Sequence, residues 1–361
     1  MKDRIISVDI FRGATIILMV LVNTPGTWSH VYAPFLHAQW HGYTPTDLVF
    51  PFFLFIVGTS IVFAYNNRPV NGGTYKKIVV RTLKLIGLGL FLGAFTIYFP
   101  FIKEWENIRF PGVLQRIGVV FFFAAILFIN IPWRYLLGIT IALLVGYWLM
   151  MTLIPVNGVV STLERAPNNF ANWVDVQVFG THNYKADYDP EGLLSTIPSI
   201  ASALLGIFTG LILLSKQEKK TRILVGLGGS MLIIGHLWDI VFPINKALWT
   251  SSFVLVTAGW ANLVLALVYY LTDVKKWQFG SIFRYVGANA IIVYFLSSFI
   301  SKVMGQIKVG DTSLHGWLFQ NIYVHQAISM QMSSLLYGLT VVAFYCFLAY
   351  VLYQQKIFIK V

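Results

Sequence analysis

The 361-residue chain is 57% apolar and only 11% charged, with a formal net charge of +12. That balance excludes a soluble globular domain. Apolar runs reaching the ~20 residues that cross a bilayer make it an all-α, polytopic membrane helix bundle. A single cysteine, Cys346 in the last apolar run, excludes an internal disulfide or a thiolate metal cluster.

Hydropathy predicts ten spans, at about 6–24, 46–66, 78–99, 112–131, 134–153, 192–214, 222–242, 248–271, 283–304 and 332–354. No small-residue cleavage site follows the first run, so it is expected to stay as span 1 rather than leave as a signal peptide. Alternating the ends places 18 of the 26 basic residues on one side, among them Lys2, Arg4, Lys76, Lys77, Arg81, Lys84 and Lys360. The positive-inside rule then puts both termini in the cytoplasm of an inner membrane. The charge excess is topological, which argues against a nucleic-acid partner and leaves a secondary role toward anionic lipid or an anionic cofactor.

Span 1 opens with Ser7-Val-Asp9-Ile-Phe-Arg12-Gly13. Asp9 and Arg12 share a helix face as an i,i+3 pair. Arg12 nevertheless lies about two turns into the span, deeper than a topology signal needs. With nearby cytoplasmic basic residues it is a candidate for the phosphates of a nucleotide-bearing cofactor. Asn23 closes the span, and the connection to span 2 holds His37, Trp40, His41 and Asp47. Titratable groups at the lip of a bilayer are costly and mark a functional site. A histidine base, a carboxylate to orient it and an amide to meet a developing oxyanion make an acyl-transfer constellation of His37, Asp47 and Asn23. His41 fits a structural or substrate-edge role. A metal site is disfavoured, because no third ligand stands at defined spacing.

Span 4 enters from the same side and carries Gln115 and Arg116, preceded by Arg109. A membrane-embedded arginine needs a partner, and Asp47 or another carboxylate at this depth is the natural candidate; a structural ion pair is the alternative. The 154–191 loop is long enough to be functional, and its interspersed aromatics predict an ordered cap. It contains Asp175 and His182, and Asp189 and Glu191 follow at the start of span 6. Residues 305–331 read as an interfacial amphipathic helix. No internal repeat is found, so the inverted symmetry common in transporters is unsupported.

Taken together, several motifs resemble the heparan-α-glucosaminide N-acetyltransferase family. They are Ser-Val-Asp9-x-Phe-Arg12-Gly13, Asn23, His37-Ala-x-Trp40-x-Gly42 through Asp47-Leu-Val-Phe-Pro51, Arg109-x-Pro-Gly-Val-Leu-Gln115-Arg116, Tyr188-Asp189-Pro190-Glu191-Gly192 and Pro243-x-Asn245-Lys246-x-Leu-Trp249. They occur in family order over nearly the whole chain, and the fit is to its shorter bacterial, NagX-like members. The resemblance implies a transmembrane acetyltransferase that takes acetyl-CoA from the cytosol and acetylates a glucosamine amine on the far side. It implies His37 as the catalytic histidine and Asn23 as the active-site asparagine, with Asp47 in support. Donor binding falls to Asp9, Arg12, Gln115 and Arg116. Acceptor binding falls to Trp40, His41, Asp175, His182, Asp189, Glu191 and Lys246, with no metal and a possible homodimer. A thioester threaded up from the cytosol requires a passage from the basic face to His37. Two other readings stay open: a secondary transporter for amino sugars, and an O-acetyltransferase of cell-envelope glycans.

Overall fold

A computed structural model describes residues 5–66 and 68–359. Lys2, Arg4 and Lys360, counted above toward the cytoplasmic charge, lie outside the described residues. The long helices are α1 (Ile6–Asn23), α2 (Val49–Tyr65), α3 (Gly72–Ala94), α4 (Val113–Asn130), α5 (Trp133–Leu153), α7 (Thr196–Leu214), α8 (Lys220–Asp239), α9 (Ser251–Tyr269), α11 (Ala290–Gln306) and α13 (Met330–Gln354). Shorter helices are α6 (Phe170–Phe179) in the 154–191 loop, α10 (Ser281–Ala288) just before α11, and α12 (Leu314–Leu318).

Eight helices among the described residues are long and apolar enough to cross a membrane, and α10 with α11 makes a ninth if the bent pair is one span. Of the ten expected spans, two do not meet that length-and-composition test as single straight helices among the described residues. The predicted span at 78–99 is α3, which begins at Gly72 because the Asn71 side chain accepts the Thr74 amide at 3.0 Å. Its earlier start adds Lys76 and Lys77 to the Arg81 and Lys84 already within the predicted range. The predicted span at 283–304 is bent by 80° between α10 and α11. Asn289 sits at the break, fully buried, donating to the Ile357 carbonyl and accepting from the Ile359 amide, each at 3.0 Å. One such bent pair is present among the described residues.

The bundle is held by close helix approaches. On α2 and α7, a Cβ at Gly58 would lie 1.8 Å from the Ala203 carbonyl, and one at Gly206 1.9 Å from that of Phe55. The two backbones touch there, which only glycine allows, and Thr59 Oγ1 donates to the Gly206 carbonyl at 3.0 Å. Helices α3 and α4 run antiparallel, with Gly89 against Gln115 and Gly118 against Thr82. Asp273, in the π-turn (Tyr270–Val274) after α9, accepts the Ile6 and Ser7 amides at 3.0 and 2.9 Å. A carboxylate from elsewhere in the chain thus caps the positive start of α1.

Following the chain, α1 runs from this capped end to a second end, where the 24–48, 154–195, 240–250 and 307–329 connections gather. The 307–329 segment is not one amphipathic helix. It is a hairpin of β1 (Lys308–Val309) with β2 (Thr312–Ser313), then α12 and a π-turn at Phe319–Tyr323.

Candidate active site

Local chemistry shapes the segment between α1 and α2. Pro45 opens a 3₁₀ turn (Pro45–Leu48) leading into α2, and Thr44 and Asp47 form its capping box. Asp47 is 1% exposed. Its Oδ2 accepts the Ala38 amide at 3.0 Å, the Thr44 amide at 2.9 Å and the Thr44 hydroxyl at 3.1 Å. Its Oδ1 meets His37 Nδ1 at 2.6 Å. A carboxylate so placed is ionised and only accepts, so Nδ1 carries the hydrogen and Nε2 holds the free lone pair. The imidazole is 48% exposed: fixed on one edge and open on the other.

The 240–250 connection closes over this loop. The Gly42 amide donates to the Ile244 carbonyl at 2.7 Å. Buried Asn245 accepts the Leu248 amide at 2.9 Å, and Asn245 and Thr250 exchange two further bonds. Trp249, fully buried, takes a φ of +52°, a region costly for a bulky residue. The reward of this tight turn is the position of Lys246. Its Nζ lies 2.9 and 3.2 Å from His37 Nδ1 and Nε2, and 3.4 Å from Asp47 Oδ1. Burial pulls the Lys246 ammonium below its usual range, against the attraction of Asp47 and Glu191.

Around this centre, Trp40 donates to the Leu163 carbonyl at 2.9 Å and meets the Tyr188 ring edge-on at 5.5 Å. His41 bridges Glu164 (3.2 Å) and Asn245 (3.3 Å). Arg109 grips Asp189 through two nitrogens and also pairs with Glu191, with Tyr184 4.9 Å beneath its guanidinium. Burial opposes both charges, yet the pairing prevails: Arg109 is raised above its normal value, and Arg109 and Arg116 hold Glu191 below its own.

Several expected placements change. Among the described residues, Arg116 has no carboxylate in salt-bridge contact. It is 3% exposed, bonded to the Gly192 carbonyl at 2.9 Å and to Ser195, and stacked 5.2 Å from Trp249. Its Nε and Nη1 find no hydrogen-bond partner among the described residues. The ion pair belongs to Arg109, which precedes α4 and has the freedom to reach over. Asn23 is exposed, and its side chain makes no hydrogen bond among the described residues, to His37 or any other, so its amide is unspent. His182 Nδ1 meets the Ile108 carbonyl at 2.7 Å, and its ring stacks 4.0 Å from Phe110.

Asp175 on α6 is 2% exposed and accepts the Leu193 amide at 2.7 Å. Burial raises its carboxyl to about 7 from an ordinary 3.8. The folded chain then holds a proton that the unfolded chain has lost between about pH 4 and 7, so stability falls as pH rises through that window. Thermal melts at stepped pH should show Asp175→Asn flattening this decline, which approaches ~1.4 kcal/mol per pH unit at its steepest.

At the other end, Arg12 donates to Asp9 at 3.2 Å and to Ser60 Oγ at 2.7 Å. It lines a cavity of about 460 Å³ with Ser60, Tyr65, Lys77, Arg81, Gly287 and Ile291. Arg81 stacks 4.5 Å from Phe121, and its buried Nε has no hydrogen-bond partner among the described residues. Gln115 is not with Arg12. It lines a second cavity of about 190 Å³ with Arg109, Tyr294 and Ser298. Ile291 and Tyr294 put the two cavities one turn of α11 apart, ~4.5 Å along its axis. His37 lines neither of them. Neither cavity by itself is the expected passage from the basic face to His37.

A sequence profile described as "Heparan-alpha-glucosaminide N-acetyltransferase, catalytic" matches residues 4–237. The human protein named heparan-alpha-glucosaminide N-acetyltransferase is 31% identical over 421 aligned positions, covering 100% of this chain and 60% of that protein. Its mouse counterpart is 30% identical, covering 99% of this chain and 61% of its own length. The chain thus spans about three fifths of the curated relatives it matches.

Proposed function

Because this chain belongs to the heparan-α-glucosaminide N-acetyltransferase family, we propose that it moves the acetyl group of acetyl-CoA onto the amine of a glucosamine-type sugar. The donor enters from the basic, cytosolic end, and the sugar meets it at the His37 end, on the periplasmic side of a bacterial inner membrane. The observation that carries this reading is the 2.6 Å bond between His37 and buried Asp47.

In the reaction, His37 Nε2 takes a proton from the amine as its nitrogen attacks the thioester carbonyl. A C–N bond forms, the C–S bond breaks, and the imidazolium returns the proton to the departing thiolate. Asp47 holds the tautomer and steadies the imidazolium. The free amide of Asn23 supplies a donor to the thioester oxygen, and direct transfer suffices because a thioester-to-amide shift is downhill. Arg12, Lys77 and Arg81 suit the donor's phosphates, and Asp9 orients Arg12. The pantetheine arm would then run along α11 past Tyr294 and Gln115 toward Arg109, joining the two chambers.

Arg81→Ala is expected to raise the KM for acetyl-CoA by about 10-fold or more, the worth of one charged hydrogen bond, with kcat little changed. Initial-rate kinetics at saturating sugar would check it. The whole reading is tested in proteoliposomes, with labelled acetyl-CoA on one face and glucosamine trapped on the other. Label recovered as an amide in the trapped sugar supports it. Sugar accumulation without acetyl-CoA would mark a transporter, and ester product alone an O-acetyltransferase.

A further inference from the structure

The donor's phosphates account for only part of the charge on α3. Its cations are Lys76, Lys77, Arg81 and Lys84, and none of them pairs with a carboxylate among the described residues. Lys77, Arg81 and Lys84 follow one another at four and three residues, the spacing at which like charges on a helix repel. Lys77 and Arg81 line the cavity that also holds Arg12. The same two residues, with Gly73, Lys76, Val80 and Lys84, line an open surface groove of about 460 Å³. Lys77 and Arg81 are thus a wall shared by two sites, and of those two sites Lys76 and Lys84 line only the groove.

The groove lies on one face of α3, since its residues recur at three- and four-residue intervals. Along that face Leu83 and Phe91 are exposed, as is Val80 within the groove itself. Gly87 lies between them, and a Cβ there would meet no atom within 4 Å. A basic end that grades into an exposed apolar strip fits an amphiphile with an anionic head.

We propose that this face of α3 is a binding site for an anionic glycerophospholipid. The headgroup phosphate sits in the groove between Lys76 and Lys84, and the acyl chains lie along Val80, Leu83, Gly87 and Phe91. Basic pockets at the membrane surface recognise such headgroups. Lys84 is ~12 Å from Lys76 along the helix axis. Its side chain leaves the helix tilted toward the N-terminus, and the long apolar stem lets the ammonium reach back to the headgroup. A soluble phosphate would use the cations and leave the apolar strip bare. A zwitterionic lipid would cover the strip but bring its own ammonium among four cations. The site stands on charge and shape alone and does not depend on the acetyltransferase reading.

The test is lipid binding by the full chain in detergent. Phosphatidylglycerol and phosphatidylcholine are titrated into delipidated protein, and bound lipid is counted by native mass spectrometry. The variants are Lys76→Gln/Lys84→Gln and, as a control, Lys216→Gln/Lys219→Gln. The control removes the same charge from the connection between α7 and α8, at the same end of the bundle. Lys77 and Arg81 stay in place because they also line the donor cavity. Wild type should take up phosphatidylglycerol in preference to phosphatidylcholine. At about five-fold per lysine beside an anionic headgroup, Lys76→Gln/Lys84→Gln should bind phosphatidylglycerol roughly 25-fold more weakly. The control should bind it like wild type. Glycerol phosphate, which has the anion without the chains, should not displace the lipid, and acetyl-CoA affinity should stay near wild type in both variants. Unchanged lipid affinity in Lys76→Gln/Lys84→Gln would overturn the proposal. An equal loss in the control would show that only the summed charge of this end matters, and that also overturns it. Displacement by glycerol phosphate would make the groove a soluble-anion site, and an equal loss of acetyl-CoA binding would return both lysines to the donor. Either result ends the lipid assignment. Both substitutions relieve crowding of like charge on an exposed face, so the variant is expected to fold, and melts in detergent verify this.

Discussion

His37→Gln is expected to lower kcat by ~10²–10⁴-fold, the range that loss of a positioned general base produces, while leaving the melting temperature and acetyl-CoA binding near wild type. The sparing of stability follows from geometry. The ring is 48% exposed, and its bonds to the fold are the one to Asp47 and the contact with Lys246, which Asp47 also holds. Asp47→Ala is the necessary contrast, because that carboxylate also holds the Ala38 amide, the Thr44 amide and the Thr44 hydroxyl. It should lose both activity and the loop, and so melt early. Single-turnover measurements on purified protein in liposomes, paired with melts, separate the two variants. A His37→Gln protein keeping more than about a tenth of wild-type kcat would remove the imidazole from the chemistry, since general-base loss costs ~10²-fold at least.

That pairing could be read from the sequence because His37 and Asp47 are ten positions apart in one connection. Lys246 could not be joined to them in the same way. It comes from 209 residues further along the chain, and only the turn around Asn245 and Trp249 delivers it. The two arginines show a different limit. Both bond to residues at similar sequence distance, Arg109 to Asp189 80 residues on and Arg116 to Gly192 76 residues on. What separates them is local backbone. Arg116 is inside α4 and faces the core, while Arg109 lies on the extended segment before it.

The spans follow a similar division. Apolar runs locate α1, α2, α4, α5, α7, α8, α9 and α13 to within a few residues, because burial against lipid or protein selects the same side chains. Hydropathy marks 78–99 as a span, but it does not show that Lys77 and Arg81 of α3 line a cavity inside the bundle. Nor can it see the 80° break at Asn289, whose bonding partners lie 68 and 70 residues away.

The same reasoning gives the largest expected loss of stability, at Arg109. Arg109→Met should destabilise the fold by about 3–5 kcal/mol, the range for breaking one partner out of a buried ion pair. Asp189 and Glu191 are 0% and 8% exposed in their side chains, and both lean on this guanidinium. Asp189 would retain the Tyr184 and Glu191 amides, at 2.7 and 2.8 Å. These bonds solvate a carboxylate but do not neutralise it. Glu191 would keep the field of Arg116, yet two buried negative charges would face each other two residues apart. Arg109→Lys should fall between, since it restores the charge and not the fork that meets both oxygens of Asp189. Combining Arg109→Met with Asp189→Asn and Glu191→Gln removes the stranded charges and should recover most of the loss. Calorimetric melts of the four proteins in detergent decide it. If Arg109→Met melts with wild type, the network carries no stability. If the triple variant melts as low as the single one, Arg109 acts through packing on Tyr184 and not through its charge.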